Sequence, residues 1–148
     1  METPQHQILI VEDYLPDVAL LANAFKEYGH GEFELTHAAH FNFALTLIFQ
    51  HKIDAVLLDL SLPIFLGLEP LARIHQARPR MPVFVLSGYN DPDLASQAVQ
   101  MGAKAYIVKN RLDGAALLAM VREAIDHRNR FIRREMPKTI PSPGLPQP

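Results

Sequence analysis

Five short runs rich in β-branched, aliphatic and aromatic residues divide this chain: "QILIV" (7–11), "FELTHAA" (33–39), "AVLLD" (55–59), "PVFVLS" (82–87) and "AYIVK" (105–109). Each is followed by a stretch with helical periodicity, so strands and helices alternate. Runs that are mostly apolar throughout, instead of alternating with polar residues, need cover on both faces. The stretches between them are too long for hairpins and suit crossover helices. Right-handed crossovers then leave one architecture: an α/β, doubly wound (βα)5 sandwich around a central five-stranded parallel sheet.

Helix punctuation agrees with that layout. Pro16 sits where a first turn tolerates proline, Val18, Leu21, Ala22 and Phe25 form an i, i+3, i+4, i+7 stripe, and Gly29 closes the helix. Residues 42–52 read as a second helix, and residues 68–76 as a third with Pro70 confined to its first turn. Asp91 as N-cap, Pro92 at the first position and Gly102 past the end bracket a fourth helix over 93–101. Asp113 caps a fifth, whose core face is Leu117, Leu118, Val121 and Ile125. The pattern decays after Arg130, which sets the domain at 7–130 and leaves 131–148 as a basic, then proline-rich, disordered tail.

A chain of 148 residues holds one such domain. Its formal net charge of −2 gives no footprint for nucleic acid or membrane, and the arginines near the end read as a solvated helix terminus. With no cysteine there are no disulfides or thiolate metal sites, which fits a cytoplasmic protein. "METPQHQ" lacks a secretory pattern, and no apolar run approaches the length that crosses a bilayer. His37 and His40 lack companions at metal-ligand spacing and read as surface residues.

In open α/β sheets, ligands bind beyond the carboxyl ends of the strands. Those ends carry Glu12 and Asp13 after the first run, Asp59 at the end of the third, Ser87 after the fourth and Lys109 after the fifth. Caps and turns use the same residue types, so no single one is diagnostic. The constellation is. Three neighbouring carboxylates repel one another unless a cation sits among them, and an all-oxygen set suits Mg2+. Such an ion and the Lys109 ammonium would neutralise a transferring phosphoryl group, Ser87 would donate a hydrogen bond to it, and Asp59 would be the nucleophile.

Glu12-Asp13, Asp59 in "DLSLP", Gly67, Ser87 in "VLSG" and Lys109 in "GAKAYIVK" resemble the receiver domain of bacterial two-component response regulators. The likeness covers about residues 7–128 in order and spacing: 46 residues from Asp13 to Asp59, 28 on to Ser87 and 22 more to Lys109. It implies a flavodoxin-like fold in which Asp59 takes a phosphoryl group from a sensor histidine kinase or a histidine phosphotransfer protein. It implies Mg2+ held by Asp13, Asp59 and the backbone carbonyl of Ser61, with Glu12 ligating through water. Ser87 and Tyr106 would be the switch pair, the hydroxyl swinging to a phosphoryl oxygen and the ring following inward. Such a domain phosphorylates itself but turns over no separate substrate, and its output is a changed contact with a downstream target protein. No second domain is read after it, so the expectation is a stand-alone regulator. The alternative is a receiver-like interaction module that is never phosphorylated, which would be expected to have lost some of the five residues.

Two positions depart from the family pattern. Receivers usually follow the lysine with a proline in a cis peptide, whereas Asn110 stands here. A cis bond before a non-proline residue costs roughly 2.5–4 kcal/mol, so the expectation is a trans bond with a re-routed loop, or strain. Ile64, Phe65 and Leu66 replace residues that are more often small or acidic. They either fold back onto the third helix or form a surface for docking or a homodimer. Two other phosphate-handling designs fit poorly. A haloacid dehalogenase-type phosphatase needs a second aspartate where Ser61 stands, and a flavin module needs a phosphate loop where "EDYLPD" is acidic.

Overall fold

The computed structural model describes residues 6–61 and 67–135. Five strands, β1 (His6–Val11), β2 (Phe33–Ala38), β3 (Ala55–Asp59), β4 (Val83–Ser87) and β5 (Ala105–Val108), form one parallel sheet in the order β2-β1-β3-β4-β5. Five helices alternate with them: α1 (Leu15–Tyr28), α2 (Phe41–Gln50), α3 (Glu69–Ala77), α4 (Pro92–Gln100) and α5 (Gly114–Glu135).

Strand periodicity splits the core in two. Leu9, Val11, Val56, Leu58 and Val85 point to one face, where they pack with Ile48 of α2, Leu71 and Ile74 of α3 and Ala98 of α4. Ile8, Ile10, Leu57, Phe84 and Leu86 point to the other, against Leu21 and Phe25 of α1 and Leu117, Leu118 and Val121 of α5. This is why β1, β3 and β4 lack polar alternation: neither of their faces meets water. Each such Leu or Ile contributes about 1.5–3 kcal/mol by leaving water, and truncating one to alanine costs roughly 2–5 kcal/mol.

The caps follow the sequence closely. Asp91 Oδ1 accepts the Leu94 amide at 3.1 Å, Asp113 Oδ1 accepts the Ala116 amide at 3.2 Å, and Pro70 falls in the first turn of α3. Gly102 turns the chain from α4 towards β5 at φ +105°, a backbone region that side chains rarely adopt.

Four details differ from expectation. The buried stripe of α1 is Leu21, Ala24 and Phe25, with Val18 and Ala22 only half-buried, because α1 meets α5 as well as the sheet. α2 starts one residue early, at Phe41. β5 stops at Val108, and Lys109 opens a 3-10 turn, Lys109–Arg111; no cis peptide occurs among the described residues, so Lys109-Asn110 is trans, the first of the two expected outcomes. α5 continues through Glu135, past the point where its apolar periodicity fades. Ile64, Phe65 and Leu66, and residues 136–148 of the tail, lie outside the described residues.

Candidate functional site

β3 is the middle strand, so its carboxyl end is the centre of the sheet's edge. Val11 pairs with Leu58, which puts Glu12 level with Asp59 one strand away. Asp59 pairs with Leu86, one residue before Ser87, and Ser87 pairs with Val108, one before Lys109. Adjacent strands lie about 4.8 Å apart, so parallel register alone gathers these side chains. They arrive buried: Glu12 is 0% exposed, Asp59 1% and Ser87 5%, while Asp13 stays on the exposed rim.

Carboxylate oxygens of Glu12, Asp13 and Asp59 lie within 4.8 Å of one another. Lys109 Nζ stands 2.7 Å from Glu12 Oε2, 3.0 Å from Asp59 Oδ1 and 2.9 Å from Asp17 Oδ2. Asp59 Oδ1 also accepts the Ser61 amide at 3.1 Å and the Ser61 hydroxyl at 2.7 Å. Asp59 Oδ2, by contrast, is buried without a hydrogen-bond partner. A buried anionic oxygen left bare is costly. Beside two further carboxylates it is a donor set suited to a hard divalent cation.

The charges are balanced unequally. Burial pushes the Glu12 carboxyl up to about 7; Lys109 opposes the rise and Asp59 adds to it. Burial also pushes Asp59 up, but hydrogen bonds from the Ser61 hydroxyl, Glu12, the Ser61 amide and Lys109 outweigh it and hold that carboxyl below its ordinary value. Burial pulls the Lys109 ammonium down, but Asp17, Glu12 and Asp59 raise it well above the usual lysine range. Near neutral pH without a cation, Glu12 therefore retains proton character while Asp59 is ionised.

Ser87 and Tyr106 converge on one backbone segment. Ser87 Oγ accepts the Tyr89 amide at 3.1 Å, and Tyr106 Oη donates to the Tyr89 carbonyl at 2.8 Å. The Tyr106 ring is half-buried against the core face of α2, α3 and α4. His37 donates from Nε2 to the Glu12 carbonyl at 2.6 Å, which fixes the end of β1. His40, exposed before α2, makes no side-chain cap.

Sequence reasoning missed two participants. Asp17 looks like an ordinary acid in a helix's first turn, and only the folded proximity of α1 and β5 brings it to Lys109. Ser61 was expected to act through its backbone carbonyl, yet its hydroxyl bonds Asp59 directly. A serine two residues after a carboxylate is the signal that could have found it.

The sequence pattern of the response regulator receiver domain matches residues 8–122. The chain belongs to that family. This receiver domain is 31% identical over 106 residues to the glycerol metabolism activator of Pseudomonas putida, covering 71% of this chain and 48% of that protein. It is 29% identical over 103 residues to sporulation initiation phosphotransferase F of Bacillus subtilis, covering 70% of this chain and 81% of that one. A chain of the CheX–CheY–BeF3–Mg2+ complex from Borrelia burgdorferi superposes with a TM-score of 0.70 at 29% identity, covering 80% of this chain and 87% of that one. The receiver domain spans about half the length, or less, of the curated relatives it matches first. Among the described residues no helix is long and apolar enough to cross a membrane.

Proposed function

We propose that this receiver domain accepts a phosphoryl group onto Asp59 from a phosphohistidine of a sensor kinase or phosphotransfer protein. The observation that carries this is Asp59 itself, a carboxylate at the centre of the sheet edge with one oxygen held by Ser61 and Lys109 and the other bare. In the transfer, the bond from phosphorus to the donor nitrogen breaks and a bond from phosphorus to an Asp59 oxygen forms. Mg2+ would be held by Asp13, Asp59 and the Ser61 carbonyl, with Glu12 through water, and would supply charge neutralisation to the phosphoryl oxygens. Ser61 keeps Asp59 ionised and therefore nucleophilic. Lys109 offers its ammonium to the arriving charge, and Ser87 offers a hydroxyl after releasing the Tyr89 amide. That release loosens the segment to which Tyr106 is also bonded, which is a route from charge to contact surface.

The output is then a change in protein contacts with a downstream target, made by a stand-alone cytoplasmic regulator and not by turnover of a second substrate. Ile64, Phe65 and Leu66 are proposed as part of the docking surface for a donor or a second copy. The test is incubation with Mg2+ and acetyl phosphate, followed by intact mass and peptide mapping. One added phosphoryl group on the Asp59 peptide, absent in Asp59→Asn, supports the proposal. An unmodified chain, or modification elsewhere, contradicts it.

A further inference from the structure

Phosphoryl transfer at Asp59 accounts for Glu12, Asp13, Asp59, Ser87 and Lys109 and leaves a fourth carboxylate unexplained. Asp17 sits in the first turn of α1, where an exposed acid already suits the helix dipole. Its carboxylate nevertheless turns inward and is only 26% exposed. Lys109 donates a hydrogen bond to Asp17 Oδ2 at 2.9 Å and makes ion pairs with Glu12 at 2.7 Å and Asp59 at 3.0 Å. Three carboxylates thus surround one ammonium, and Asp17 takes a hydrogen bond from it. The cavity between Glu12, Asp17, Leu21, Leu86, Lys109 and Leu112 is about 10 Å³. That is at the lower limit for a water molecule, so the contact is close-packed on its inner side, while Lys109 and Asp17 keep 16% and 26% of their side chains exposed.

The three partners differ in what transfer would do to them. Asp59 becomes an acyl phosphate, and its negative charge moves outward onto phosphoryl oxygens. Glu12 would face a cation held by the acidic cluster. Asp17 lies outside the three-residue acidic cluster and takes part in no bond that forms or breaks. Lys109 itself has a long flexible stem and follows β5 through a trans peptide and a single 3-10 turn. We propose that Asp17 is a positioning residue for phosphoryl transfer: it anchors the Lys109 ammonium from the α1 side, so that the ammonium pivots from Asp59 Oδ1 to the phosphoryl oxygen without leaving the site. This rests on the transfer function proposed above. Because Asp17 acts only through Lys109, its effect vanishes when Lys109 is absent.

A double-mutant cycle tests this, with phosphorylation by acetyl phosphate at saturating Mg2+ followed for wild type, Asp17→Asn, Lys109→Ala and the double variant, and urea midpoints confirming that each folds. Asp17→Asn is expected to lower the rate about tenfold, and Asp17→Glu to recover it to within about threefold of wild type. The double variant is expected to match Lys109→Ala within about twofold. Should Lys109→Ala be too slow to time, the same cycle is read from the affinity for beryllofluoride with Mg2+. An Asp17→Asn variant as fast as wild type overturns the anchor, as does a tenfold loss that persists without Lys109. A wild-type chain that takes no phosphoryl group overturns the transfer function instead, and the anchor's role falls with it.

Discussion

β3 carries a buried aspartate at each end, and the two are opposites. Asp54, just before the strand, is 3% exposed and Asp59, its last residue, is 1% exposed. Asp54 Oδ2 accepts the Gln7 amide at 2.7 Å, and Oδ1 faces Arg128 at 3.4 Å, whose guanidinium also donates to the Ile53 and Asp54 carbonyls. Both of its oxygens are engaged, and it fastens α5 to the sheet. At Asp59 the load falls on one oxygen, and the other has no hydrogen bond at all. Burial is therefore the same at both ends and does not tell them apart. Unequal satisfaction of the two oxygens does.

The contrast is broken most sharply by exchanging functions. Asp59→Asn is expected to lower Mg2+-dependent phosphorylation at least about 100-fold, whereas Asp54→Asn should leave it within about twofold, as timed by intact mass. Comparable losses at both ends would erase the distinction. Stability should run the other way. Asp54→Ala removes the carboxylate that holds the Gln7 amide and the part-buried Arg128 guanidinium and is expected to cost about 2–3 kcal/mol in urea unfolding, while Asp59→Asn, which relieves crowding among carboxylates, should change stability by less than about 1 kcal/mol.

Acidity gives a third handle. Glu12 titrates near 7 in the folded chain against 4.5 for an ordinary glutamate, so the metal-free native state binds a proton that the unfolded chain releases. The stability associated with that proton is complete below about pH 4.5 and is lost as pH rises through 7, by on the order of 3 kcal/mol. Asp59 acts in the opposite sense, its contribution being lost only as pH falls below the ordinary aspartate range. A cation at the proposed site would displace the Glu12 proton, so urea midpoints should rise more with Mg2+ at pH 8 than at pH 5.5. An equal gain at both values would separate Glu12 from the cation. Ser61→Ala removes one 2.7 Å bond from the loaded oxygen and is expected to cost about 1 kcal/mol in metal-free urea unfolding.

Most of the architecture was legible in the sequence because parallel strands buried on both faces announce themselves as apolar runs and their helices carry recognisable caps. Asp91, Asp113 and Pro70 act where local chemistry places them. What stayed hidden depends on contacts between distant elements. The α1 stripe is rotated because α5 covers part of it, and Asp17 finds Lys109 across 92 positions of chain. Asp54 gave no signal, since a carboxylate before a strand looks solvated until Arg128 arrives from α5. The grouping of Glu12, Asp13 and Asp59 was readable because strand ends in one parallel sheet must share an edge.

The claim on which the rest depends is that the unsatisfied end of β3 is a single divalent-cation site. Amide NMR during a Mg2+ titration measures this directly. One-site shifts confined to the ends of β1 and β3 and the turn after β5, abolished by Asp13→Asn, are the predicted result. Shifts that are absent, that never saturate, or that centre on Asp54 and Arg128 would contradict it.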